Sequence, residues 1–208
     1  MFKLITLMFC VVVTTIATTA SAAKVVIIGD SMFSESPVKQ FLEDWSSVGI
    51  DNYAVTGASL QEGWVKSIPE QYEEIKGMNL STIIMDGGGN DVFSNLYECQ
   101  QFSDKCKEVI NNVANIAKSL ITEMGNNNVS DVIYLGFFYV KGLNKAIDYG
   151  TQKLKHICEN ITTTNCYFSD PRNITIPVGW DGVHPTREGY ELLSNRIWDT
   201  ILDNDVVI

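Results

Sequence analysis

Histidine is almost missing: the 208 residues contain two, His156 and His184. A metal centre built on paired imidazoles therefore finds little support. Basic runs are missing altogether, and the formal net charge is −10. That argues against nucleic acid or an anionic membrane surface as partner. Past the first two dozen residues no apolar stretch is long enough to span a bilayer, so no stable membrane anchor is expected. Repeats, linkers and low-complexity tracts are also absent, and the length suits one domain with one sizeable core. Cysteine is scarce, with five in the chain. The spacings of Cys99, Cys106, Cys158 and Cys166 are unlike the closer pairs of zinc sites.

The N-terminus differs from the rest. Lys3 is followed by an apolar run over residues 4–16 and then by Ala20-Ser21-Ala22. This pattern predicts a signal peptide over 1–22, cleaved after Ala22, and a single domain over 23–208. Cys10 lies inside the apolar run behind bulky Phe9, which does not suit a lipoprotein site. Cleavage would remove Lys3 and leave 14 basic against 25 acidic residues. A secreted or periplasmic protein is expected, and its four remaining cysteines suggest disulfides. Three pairings are possible. Cys99–Cys106 and Cys158–Cys166 are favoured because each closes a short polar loop. Asn79, Asn128, Asn160 and Asn173 each begin a glycosylation sequon, which matters only in a source that glycosylates exported proteins.

The patterning alternates between strands and helices. Continuous apolar runs predict strands at 25–28, 51–55, 82–85, 132–138 and 166–168. Helical stripes open at Pro37, run over 109–121 with a stop near Gly125, span roughly 145–158, and begin again near Thr186. Such alternation implies a parallel sheet covered on both faces. Ligands in such folds bind beyond the carboxyl ends of the strands. Ser31 follows the first predicted strand, Gly57 the second and Asn90 the third. The turn from Asp181 to His184 lies past the fifth. These four loops are expected to share one rim.

Their residue types suit acyl transfer. A serine hydroxyl needs a neutral imidazole to take its proton and a carboxylate to orient that imidazole. Ser31 is the candidate nucleophile, His184 the base and Asp181 the orienter. Three residues separate Asp181 from His184, which lets the carboxylate fold back onto the ring across one turn. The oxyanion formed by attack needs preorganised donors. The Ser31 and Gly57 backbone N–H groups and the Asn90 side chain are candidates. Asp30 and Asp91 are expected to hold loops by accepting backbone N–H bonds. A competing arrangement takes Asp30, Asp86, Asp91 and His184 as metal ligands of a phosphoesterase. Trp64, Phe138, Tyr139 and Trp180 are candidates for lining an acyl pocket or for packing. His156, on a polar helix, is expected to be solvated.

Gly29-Asp30-Ser31, Gly57, Gly88-Gly89-Asn90-Asp91 and Asp181-Gly182-Val183-His184 resemble, in order, the four signature blocks of the SGNH hydrolases, the GDSL-type esterases and lipases. The resemblance spans about residues 24 to 203. One departure is Met32, where the family commonly has leucine; the two are similar in volume. The resemblance implies a three-layer α/β/α fold with a flavodoxin-like five-stranded parallel sheet in the order 2-1-3-4-5. It implies a Ser31–His184–Asp181 triad, an oxyanion hole from Ser31, Gly57 and Asn90, and neither metal nor cofactor. Gly87 and Gly88 compete with Gly57 as backbone donors.

The expected activity is hydrolysis of carboxylic esters through an acyl-enzyme, by a monomer. A short-acyl or carbohydrate esterase fits, as does a lysophospholipase or thioesterase. The lack of a long apolar insertion tilts the reading toward small acyl groups. An acyltransferase would need the same triad and would exclude water. A non-catalytic carbohydrate- or lipid-binding module on the same scaffold is the alternative from another class.

Overall fold

The computed structural model describes residues 23–208; the predicted signal peptide over 1–22 lies outside the described residues. Five short strands pair in parallel: β1 (Lys24–Ile28), β2 (Ile50–Asn52), β3 (Leu80–Met85), β4 (Asp131–Leu135) and β5 (Asn165–Ser169). Their order is β2-β1-β3-β4-β5, as expected. The β1 segment shows why the strands are apolar throughout. Val25 and Ile27 face one layer of helices, and Val26 and Ile28 face the other. A strand covered on both sides has no solvent face to make polar.

One face carries α2 (Val38–Ser46) and α8 (Arg187–Asp203), packed on Ile27, Ile84 and Ile133. The other carries α3 (Ile68–Ile75), α6 (Asp104–Asn126) and α7 (Asn144–Asn160), packed on Val26, Ile83 and Tyr134. Three shorter helices, α1 (Ser31–Ser34), α4 (Gly89–Phe93) and α5 (Leu96–Gln100), lie in the loops after β1 and β3. Disulfides join Cys99 to Cys106 and Cys158 to Cys166, the favoured pairing. The first ties α5 to the start of α6, and the second ties the end of α7 to β5. Among the described residues no helix is long and apolar enough to cross a membrane.

Some expected boundaries move, each for a visible reason. The second strand stops at Asn52 rather than at residue 55. The chain still follows β1, because Tyr53 N–H donates to the Ile27 carbonyl and Val55 N–H to that of Gly29. The fourth strand ends at Leu135 rather than at residue 138. Gly136 passes so close to the Phe168 ring that a side chain would not fit. Phe137 and Phe138 then turn into the rim. Gly125 does not stop α6; it lies in its last turn, where a Cβ would overlap the Thr163 backbone. The sequence reading also leaves out α3, although Ser67 and Glu70 form a full capping box around Pro69.

Candidate active site

The chain leaves β1 through Gly29 and enters α1 at Ser31. Several groups fix this turn from below. Gln71, on α3, donates to the Gly29 carbonyl at 2.9 Å and accepts from the Gly29 N–H at 2.8 Å. The Asp30 N–H donates to Asp86 Oδ1 at 2.9 Å. Asp30 Oδ1 caps α1 by accepting from the Met32 N–H at 2.9 Å. Gly29 has φ of 150°, and a Cβ there would overlap Asp86 Oδ1. Only glycine fits that contact. Ser31 thus stands at the head of a helix with its own N–H unclaimed by that helix.

Ser31 Oγ lies 2.9 Å from His184 Nε2. His184 Nδ1 lies 2.6 Å from Asp181 Oδ2. The other Asp181 oxygen accepts from the Val183 and His184 N–H groups, each at 3.0 Å. These bonds, first that from Val183 and then that from the imidazole, hold the Asp181 carboxyl down at about 2. It is therefore a carboxylate at any working pH. A carboxylate at Nδ1 places the ring proton there and leaves Nε2 free to accept from the serine hydroxyl. The turn itself is held by the Gly179 N–H on the His184 carbonyl and by an antiparallel bridge between Val178 and Pro185.

Gly57 and Asn90 border the same cleft as Ser31, His184 and Asp181. Gly57 takes φ of 81°, a left-handed conformation that favours glycine. The Asn90 side chain donates to the Ala58 carbonyl at 2.7 Å and leans toward Asp30 Oδ2 at 3.4 Å. Next to it, the Asp91 carboxylate accepts from the Leu60 and Gln61 N–H groups and from the Gln61 side chain. The loop carrying Gly57 is therefore strapped to the start of α4. Asp30 and Asp91 hold loops, as the sequence reading expected. In the metal-ligand arrangement of Asp30, Asp86, Asp91 and His184, the Asp30 and Asp91 oxygens accept from N–H donors and His184 faces Ser31 and Asp181. No cluster of three or more His, Cys, Asp or Glu side chains able to hold a metal occurs among the described residues.

Asp86 is the least expected group. It is 1% exposed, and its Oδ2 is buried with no donor facing it. Burial first, and then the nearby Asp30 carboxyl, push Asp86 well above the usual carboxylate range. Burial raises Asp30 as well. Two adjacent buried carboxyls cannot both ionise cheaply.

The cleft holds about 290 Å³, and Met32, Phe93, Phe137, Phe138, Val140 and Val183 supply its apolar walls. Of the four aromatic residues considered from the sequence, only Phe138 lines it. Tyr139 points away and donates to Asp148 at 2.8 Å. Trp64 and Trp180 are fully exposed. Phe93 and Phe137 line the cleft too; Phe93 stands in no recognisable sequence pattern, and Phe137 falls inside the strand expected over 132–138. His156 is exposed on α7, against the Asn160 amide.

A family model described as GDSL-like lipase/acylhydrolase matches residues 25–197. No match is found among curated proteins. Solved structures do share the fold. A carbohydrate esterase of family 3 from Talaromyces cellulolyticus has a TM-score of 0.66 at 16% identity, covering 89% of this chain and 100% of its own. Esterase EstA from Pseudoalteromonas sp. has a TM-score of 0.64 at 13% identity, covering 86% and 97%. A family 2 carbohydrate esterase from Clostridium thermocellum, solved with cellohexaose, has a TM-score of 0.63 at 16% identity, covering 88% and 64%. At such identities these likenesses speak for the fold alone. The family match, which spans most of the chain, says more: the protein belongs to the GDSL-like lipase/acylhydrolases and is a hydrolase of ester bonds.

Proposed function

We propose that this is an exported serine esterase that removes small acyl groups through a covalent acyl-enzyme. The observation that carries the reading is the continuous row from Ser31 Oγ through the His184 ring to the Asp181 carboxylate. In the first half-reaction His184 Nε2 takes the Ser31 proton as Oγ attacks the ester carbonyl. The new oxyanion is met by the Ser31 N–H, the Gly57 N–H and the Asn90 amide. The imidazolium, stabilised by Asp181, then gives its proton to the departing alkoxide. In the second half, water attacks the acyl-serine with His184 again as base, and Ser31 is regenerated.

Two features support small acyl groups. The cleft is modest in volume, and no long apolar insertion covers it. The likeness to carbohydrate esterases suggests a sugar as one alcohol moiety. Export is supported by the leader-like sequence over 1–22 and by the two disulfides, which persist in oxidising compartments. The test is hydrolysis of p-nitrophenyl esters from acetate to palmitate by the mature chain, beside Ser31→Ala. Turnover should be greatest at the short end, and Ser31→Ala should lose at least about 10⁴-fold in kcat. Turnover retained by the variant would remove Ser31 from its role.

A further inference from the structure

The catalytic cleft has a neighbour. An apolar chamber of about 50 Å³ lies between α6 and α7, beneath the Gly87–Gly89 backbone. Ile110 and Val113 reach it from α6, and Ala146, Gly150 and Leu154 reach it from α7. Gly89, Phe93, Phe137 and Val140 border both spaces. Phe137 stands on the border between them. Its ring packs on Gly89 so closely that a Cβ at 89 would lie 2.7 Å from Cε1. The ring is only partly buried, and Phe137 lies past the end of β4 rather than within the ladder.

The chemistry says which half of an ester faces this border. The departing alcohol takes its proton from His184, so it leaves along the side of the Asp181–His184 turn. The acyl group points away from that turn. The chamber shares no residue with the turn, and it shares four with the rest of the cleft lining. Its lining holds almost no polar atom, which suits a hydrocarbon tail and leaves water without partners.

We propose that Phe137 sets the acyl-chain length of this enzyme, its ring closing the cleft off from an apolar tail chamber between α6 and α7. The proposal rests on the serine-esterase reading for its orientation. Short acyl groups end against the ring. Removing the ring joins the two spaces and admits several further methylenes, each worth roughly fourfold when buried.

The test compares the wild type, Phe137→Ala, and Phe137→Ala with Gly150→Leu. Gly150 lies in α7, where a Cβ meets Ile110 at an ordinary 3.7 Å. Leucine there refills the chamber and favours the helix. The ratio of kcat/KM for p-nitrophenyl octanoate to that for acetate should rise at least tenfold in Phe137→Ala. It should fall back toward the wild-type ratio in the double variant. Octanoate binding, measured by calorimetry, should follow the same order without any turnover. An unchanged ratio and equal octanoate affinities would overturn the chamber, as would a long-chain gain that survives Gly150→Leu. Loss of turnover on every ester, with the octanoate order intact, would instead strike the serine-esterase reading.

Discussion

The two sides of the active site are built differently. Ser31 is 8% exposed and rests on residues from across the fold: Gln71 from α3 and Asp86 from the end of β3. The His184 ring is 46% exposed, and its orienter is three residues away in the same turn. Each side uses aspartates, shifted in opposite directions. Asp181 stays ionised because backbone N–H groups and the imidazole favour its charge. Asp86 is pushed well above the usual carboxylate range because burial beside Asp30 disfavours charge. The proposed nucleophile is thus fixed by the core and the proposed base by a local loop. Solvent access at the base suits a reaction whose second step consumes water.

That contrast can be broken from either side. The largest effect is expected at Asp181. Asp181→Asn keeps the shape but favours the wrong tautomer at Nδ1, and kcat should fall about 10⁴-fold. Because the turn is exposed and local, the melting temperature should move little; a large loss of stability with preserved rate would reverse the comparison. Next comes Asn90→Ala. It removes one oxyanion donor and the tie to Ala58, and kcat should fall about 10²- to 10³-fold. An equal rise in KM with unchanged kcat would assign Asn90 to ground-state binding instead.

The smallest effect concerns Asp86→Asn, and it is one of pH. Asp86 and Asp30 are raised in the folded state, so the native chain holds a proton that the unfolded chain releases near the reference value of about 3.9. Stability from this pair is fully present below that value and declines as pH rises toward the folded value. The amide cannot ionise, so the variant should gain on the wild type by a few degrees in melting temperature as pH rises above about 4. A difference that stays constant as pH rises would mean that folding does not raise the pair.

The same contrast explains what could be read from the chain alone. The Asp181–His184 spacing encodes a turn, and the geometry follows from four consecutive residues. The apolar runs before Ser31, Asn90 and Phe137 encode buried strands, so the rim on which the loops meet was legible too. The support beneath Ser31 was not. Asp86 lies 56 residues from Asp30, and nothing local marks a carboxyl that will be buried beside another. Phe137 was read as the interior of a strand, because an apolar residue that ends a ladder looks like one that continues it. The missed helix α3 is different: Ser67, Pro69 and Glu70 announce it plainly.

The central claim is that Ser31 is the nucleophile activated by His184, and covalent labelling tests it most directly. The mature chain would be treated with an alkyl fluorophosphonate and followed by intact mass and peptide mapping. One adduct per chain is expected, on the peptide containing Ser31, with none in Ser31→Ala and labelling slowed at least about 10³-fold in His184→Ala. An adduct on another residue, or labelling of Ser31→Ala at the wild-type rate, would contradict it.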